Sequence, residues 1–210
     1  MSRAATIKHG YTTGARGLAS RSVGFLTQTR ITPNALTASG VLLCGAASLL
    51  VLFENRNEIL FYWLAAFVFV VGSLLDILDG ALARAGGKTT PFGAFIDSTT
   101  DRVSEGFMLT AIAYVLAVQH RPVFVAVAMA CVAGSFLVSY TRARAEALGL
   151  RGDVGIGSRA ERVVVITAGL VLAPWGVLPW ALVLLACTAW VTVAQRVLHV
   201  RKQLMEANRQ

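Results

Sequence analysis

Apolar runs long enough to cross a bilayer recur through the whole chain, separated by short segments rich in charge, glycine or proline. A spanning helix needs about 20 mostly apolar residues at 1.5 Å rise each. Runs at 34–53, 59–79, 102–119, 122–140, 163–174 and 177–195 therefore predict six transmembrane helices. The fifth run is the shortest, and Pro174 and Pro179 bracket a Trp175–Val177 turn after it. One continuous helix over 163–194 would measure about 48 Å, too long for a hydrocarbon layer of roughly 30 Å, so the proline pair predicts a hairpin instead. Ahead of the first run, Gly14 to Arg30 mixes Arg16, Arg21 and Arg30 with Leu18, Val23, Phe25 and Leu26. That mixture predicts an amphipathic helix lying in the membrane interface, with a frayed tail as the alternative. Thr32 and Pro33 suit the cap and first turn of the next helix. No internal repeat, low-complexity tract or linker interrupts the pattern. The expectation is one all-α integral membrane domain over 1–210: a juxtamembrane segment at 1–33, a six-helix bundle at 34–195 and a tail at 196–210.

Composition narrows the class. Of 210 residues 56% are apolar and only 14% charged, against about 25% charged in a water-soluble domain. Nineteen glycines and five prolines are too few for a collagen-like or low-complexity chain. No apolar run precedes residue 31, so a cleavable signal peptide is not expected. Cys44, Cys131 and Cys187 all fall in apolar stretches and read as small packing residues. The net charge of +8 is a topology signal. All of the 19 basic residues except Arg56 and Arg121 fall before span 1, between spans 2 and 3 or at the first residue of span 3 (Arg102), between spans 4 and 5, or after span 6. Such an asymmetry places both termini in the cytoplasm and requires an even number of spans. The counterions are anionic lipid headgroups, and no nucleic-acid partner is expected.

The acidic residues carry the chemistry. Four of eleven crowd into residues 76–101. Asp76 and Asp79 are three apart and Asp97 and Asp101 four apart, so each pair projects from one helix face. Gly86 and Gly87 can end the first helix, while Thr90 and Pro91 can cap and start the second. Carrying that helix back to Pro91 puts Gly93, Asp97 and Asp101 in one row, opposite a row of Asp76, Asp79, Gly80 and Ala83, with Arg84 nearer the loop. Small residues beside the acids leave room for a ligand. Four carboxylates at a bilayer edge repel one another and lose hydration, a cost of several kcal/mol that cations must offset. Oxygen-only ligands with no His or Cys nearby favour Mg²⁺ or Mn²⁺ over Zn²⁺. His9, His120 and His199 are scattered and read as solvated. The competing structural account of the aspartates is a set of ion pairs with Arg84, Lys88 and Arg102.

The stretch Asp76-x2-Asp79-Gly80-x2-Ala83-Arg84-x8-Gly93-x3-Asp97-x3-Asp101 resembles the signature of the CDP-alcohol phosphotransferases, membrane enzymes of phospholipid synthesis, with every signature position filled. The resemblance implies a six-helix fold, usually homodimeric. It implies that Asp76, Asp79 and Asp97 ligate two divalent metals, that Asp101 is a ligand or base, and that Gly80, Ala83, Arg84 and Gly93 line the CDP site. The spacing suits such chemistry: two ions about 4 Å apart can bridge a pyrophosphate and stabilise a departing nucleoside monophosphate. Asp101, at the outer end of the cluster, is the expected base for the attacking hydroxyl.

A second constellation addresses the acceptor. Arg142 and Arg144 extend span 4, and Arg159 and Arg162 lie three apart at the start of span 5, so four guanidinium groups can converge on a phosphate dianion. Arg151 reads as ordinary cytoplasmic charge, and Ser158 with Glu161 as a capping box. The pattern is similar to the branch of the family whose acceptor is inositol phosphate, in which a basic residue followed by Ala-Arg-Ala-Glu precedes Glu-Arg-x-Glu-Arg. Ser158, Ala160 and Asn34 depart from that branch without removing a basic position. The resemblance therefore implies phosphatidyl transfer from CDP-diacylglycerol to inositol 1-phosphate, at the cell membrane with the active site facing the cytoplasm. Glycerol 3-phosphate or another phosphorylated alcohol stays open as the acceptor. A serine-type acceptor would leave four arginines without a partner. A divalent-metal transporter is disfavoured by depth: Asp76 is roughly 27 Å along its helix from Glu58, near the cytoplasmic surface, whereas transporter sites tend to lie at the midplane.

Overall fold

A computed structural model describes residues 33–85 and 89–207. Among them the long elements are α1 (Pro33–Val51), α2 (Glu58–Ala85), α3 (Pro91–Val118), α4 (Pro122–Ala147), α5 (Arg159–Val171) and α6 (Leu178–Ala207), with a short 3₁₀ turn at Ala173–Trp175. Each helix overlaps one of the six apolar runs. Four of them, α1, α2, α4 and α6, are long and apolar enough to cross a membrane. The other two depart from that pattern for different reasons. α3 has 28 residues but carries Asp97, Asp101, Arg102 and Glu105 within its first fifteen. α5 has only 13 residues.

Local chemistry sets the ends. Asn57 Oδ1 accepts from Leu60 N at 3.1 Å to open α2, and Thr90 Oγ1 accepts from Gly93 N at 2.9 Å to open α3. α5 begins with the expected capping box, Ser158 Oγ accepting from Glu161 N while Glu161 Oε2 accepts from Ser158 N. The hairpin between α5 and α6 closes on Gly176, whose φ of 74° lies in the left-handed region that glycine tolerates. α6 runs on to Ala207, so most of the segment expected as a tail from residue 196 is helix. The expected interfacial helix at Gly14–Arg30, the Thr32 cap, Gly86, Gly87 and Lys88 lie outside the described residues.

The chain divides into two compact units. The first takes the start of α1 up to Leu43 together with Val71–Asp101; the second takes Cys44–Val70 and the chain from Arg102 onward. In the first, Leu36 and Leu82 are buried with Leu75 and Ala81 against them. Gly40 lets α1 come close to α2: a Cβ there would stand 3.0 Å from the Gly72 carbonyl and 3.5 Å from Asp76 Cβ.

The second unit holds the larger core, in which Tyr62, Phe69, Met108, Leu109, Ile112 and Leu116 are fully buried. Small residues let its helices pack closely. A Cβ on Gly134 would lie 3.0 Å from Ala189 Cβ, and one on Gly169 would lie 2.8 Å from Ala181 Cβ. The loop between α4 and α5 is fastened to α6. Arg196, expected as a tail charge, is instead 8% exposed and donates from Nε to Val154 O at 2.9 Å and from Nη1 to Val138 O. Gly155 sits at φ 122°, where a Cβ would fall 2.4 Å from Thr192 Cγ2. Gly155→Ala therefore forces both a disfavoured backbone and a steric overlap. We expect it to destabilise the protein by about 2 kcal/mol or more, read as a lowered melting temperature in detergent, whereas Gly149→Ala, with nothing within 4 Å, incurs only the backbone part.

Candidate active site

In the first unit, α2 and α3 bring three carboxylates together. One oxygen from each of Asp76, Asp97 and Asp101 lies within 4.8 Å of the others. Asp76 is buried, and Asp97 and Asp101 are half-buried. Two unit charges at such a separation repel by roughly 3 kcal/mol at an effective dielectric near 20, so a bound cation is the physical complement of the arrangement. All three donors are carboxylate oxygens, which suits a hard divalent ion.

Asp79, expected in the same cluster, is 3% exposed and is not among those three; its Oδ2 accepts a hydrogen bond from Thr37 Oγ1 of α1. Thr37 was not legible as a site residue, because nothing in the hydrophobic pattern marks a threonine 42 positions upstream as the partner of a carboxylate. Arg84 folds back along α2: a Cβ on Gly80 would meet its Nη1 at 3.3 Å. Gly80 thus gives space to the arginine, and Ala83 beside it is half-buried. Gly93 has a different neighbour, since its Cβ would come 3.1 Å from Thr90 Oγ1, the cap of α3. Its small size therefore protects the start of the helix that carries Asp97 and Asp101.

The second unit holds the arginines. Arg142 and Arg144 are exposed near the end of α4, with Arg142 Nε 2.9 Å from Glu146 Oε1. Arg159 is half-buried at the first position of α5. Arg162, expected at the acceptor phosphate, is engaged within the protein. It is 6% exposed, and its Nε and Nη2 donate to the two oxygens of Glu105 on α3 at 2.7 and 2.9 Å, while Nη1 donates to Gly157 O at 2.9 Å. A bidentate pair with a buried carboxylate occupies the fork that would otherwise grip a phosphate. Glu105, a carboxylate inside the third apolar run, was the available signal, because a buried charge there demands a partner. Arg196 on α6 is likewise buried, its guanidinium donating to the Val154 and Val138 carbonyls.

The sequence profile of one family, CDP-alcohol phosphatidyltransferase, matches residues 30–200. An archaetidylinositol phosphate synthase of Pyrococcus horikoshii is 39% identical over 175 residues, covering 83% of this chain and 86% of that protein. A phosphatidylinositol phosphate synthase of Mycolicibacterium smegmatis is 39% identical over 173 residues, covering 79% and 78%. Among solved structures, the phosphatidylinositol phosphate synthase of Mycobacterium tuberculosis with CDP-DAG bound superposes with a TM-score of 0.77 at 30% identity, over 87% of this chain and 92% of that one. The same enzyme in complex with manganese and citrate gives a TM-score of 0.76 at 32% identity, over 87% and 88%. With the aspartate signature filled, three of its carboxylates gathered and the fold shared along most of its length, this chain belongs to the CDP-alcohol phosphatidyltransferase family.

Proposed function

We propose that the protein transfers a phosphatidyl group from CDP-diacylglycerol to the hydroxyl of inositol 1-phosphate, releasing CMP. The observation that carries this is the meeting of Asp76, Asp97 and Asp101 in a chain whose relatives are synthases of inositol phosphate lipids. The manganese and CDP-DAG in the mycobacterial structures support the same ligands here. Asp76, Asp97 and Asp101, joined by Asp79, hold two Mg²⁺ or Mn²⁺ ions. When bound, these neutralise the diphosphate and stabilise the departing CMP. Gly80, Ala83 and Gly93 leave space for the CDP headgroup, and Arg84 adds a fixed positive fork to the diphosphate. Asp101 accepts the proton of the acceptor hydroxyl as its oxygen bonds to phosphorus and the phosphorus–oxygen bond to CMP breaks.

Arg142, Arg144 and Arg159 bind the acceptor phosphate, and Arg162, locked to Glu105, holds the start of α5 in place beneath Arg159. All six helices cross the cell membrane as one domain over 1–210. The site faces the cytoplasm, and two copies form a homodimer. CMP release by purified protein tests the assignment, given CDP-diacylglycerol, Mg²⁺ and separately inositol 1-phosphate, glycerol 3-phosphate, free inositol or serine. Turnover is expected with inositol 1-phosphate, abolished by a chelator and restored by Mg²⁺ or Mn²⁺. Turnover with free inositol alone would remove the acceptor role of the arginines, and a rate indifferent to the chelator would remove the metals.

A further inference from the structure

At the end of the second unit away from Arg142 and Arg144, the helix ends enclose a cavity of about 260 Å³. Its floor is apolar: Tyr62, Leu116, Ala173 and Leu178, each 6% exposed or less, line it. Its rim is charged, with Glu58 at the first position of α2 and Arg121 in the turn between α3 and α4. Among the described residues neither makes an ion pair. The rim is well fixed. Gln119 Nε2 donates to Glu54 Oε1 at 3.2 Å. His120 adopts φ 55°, a left-handed conformation that makes the turn tight. The volume falls below the roughly 300–1,000 Å³ of drug-sized sites, which suits a ligand smaller than a nucleotide.

Two opposite charges over an apolar floor match a ligand that carries an ammonium and a phosphate on a short stem. Depth selects the source of that ligand. Trp175 and Trp180 stand 63% and 65% exposed on the segment that bounds the cavity, and exposed tryptophans of a membrane protein lie at headgroup level. We propose that this cavity binds the headgroup of a zwitterionic phospholipid, its ammonium at Glu58 and its phosphate at Arg121, as a structural lipid site separate from the aspartate cluster.

Glu58 and Arg121 are exposed, so Glu58→Gln and Arg121→Gln leave the core intact, and neither belongs to the proposed catalytic machinery. The test uses delipidated full-length protein in detergent, with binding counted by native mass spectrometry and by thermal shift. Probes are dioleoyl-phosphatidylethanolamine, dioleoyl-phosphatidylglycerol, which lacks the ammonium, and water-soluble phosphoethanolamine, which lacks the tails. Wild-type protein is expected to retain one phosphatidylethanolamine in preference to phosphatidylglycerol. Each variant should bind it roughly tenfold more weakly, as loss of one charged hydrogen bond implies, with CMP release unchanged. Equal retention of the two lipids, undiminished binding by both variants, or soluble phosphoethanolamine binding as well as the lipid would overturn the proposal. The binding readouts need no turnover, so they stand whether or not the acceptor is inositol phosphate.

Discussion

Asp97→Asn is expected to lower turnover on the order of a thousandfold, the scale on which loss of one preorganised charge-stabilising group acts in acyl and phosphoryl transfer. The same substitution should make the metal-free protein more stable. Without a cation, Asp76, Asp97 and Asp101 hold their oxygens within 4.8 Å, and neutralising one member relieves part of that repulsion. Melting in a chelator therefore rises in the variant, while the gain on adding Mg²⁺, large in the wild type, shrinks. A site that is costly to fold and indispensable to the reaction shows this opposition of stability and activity. A variant that lost activity and stability together, with the Mg²⁺ response intact, would make Asp97 a structural group.

Glu105→Ala carries the second large effect. It strands the Arg162 guanidinium, 6% exposed, with only the Gly157 carbonyl as partner, and breaking a buried pair from one side costs about 3–5 kcal/mol. Replacing both partners, Glu105→Leu with Arg162→Met, removes the uncompensated charge and should recover most of that loss. The double variant also separates two roles. If Arg162 positions α5, the KM for the phosphorylated acceptor changes little once stability is restored; a rise of tenfold or more would return Arg162 to the acceptor site.

The hydrophobic pattern located the six long helices of the described residues, since an apolar run leaves the backbone little choice but to satisfy its own hydrogen bonds. Helix ends were legible where a side chain does the capping, as at Thr90 and Ser158. They were lost where helix outlasts the apolar run: α6 continues twelve residues past the expected end at 195, because Arg201, Lys202 and Glu206 support a solvated helix as readily as a tail. The site divides in the same way. Asp76, Asp97 and Asp101 were visible because they share two helices and a fixed spacing, the kind of information a single segment carries. Thr37 on Asp79, Glu105 on Arg162 and Arg196 on Val154 depend on which helices meet. Periodicity says that a face is buried, but not what lies against it.

The hairpin of α5 and α6 has a consequence for the surrounding lipid. Thirteen residues at 1.5 Å give α5 about 20 Å of length, well short of the roughly 30 Å of hydrocarbon that a crossing must match. Val164 stands 65% exposed on it; if α5 crosses as proposed, the acyl chains beside this face must shorten or tilt to meet its ends, a local thinning that membranes with thinner cores would accommodate at lower elastic cost.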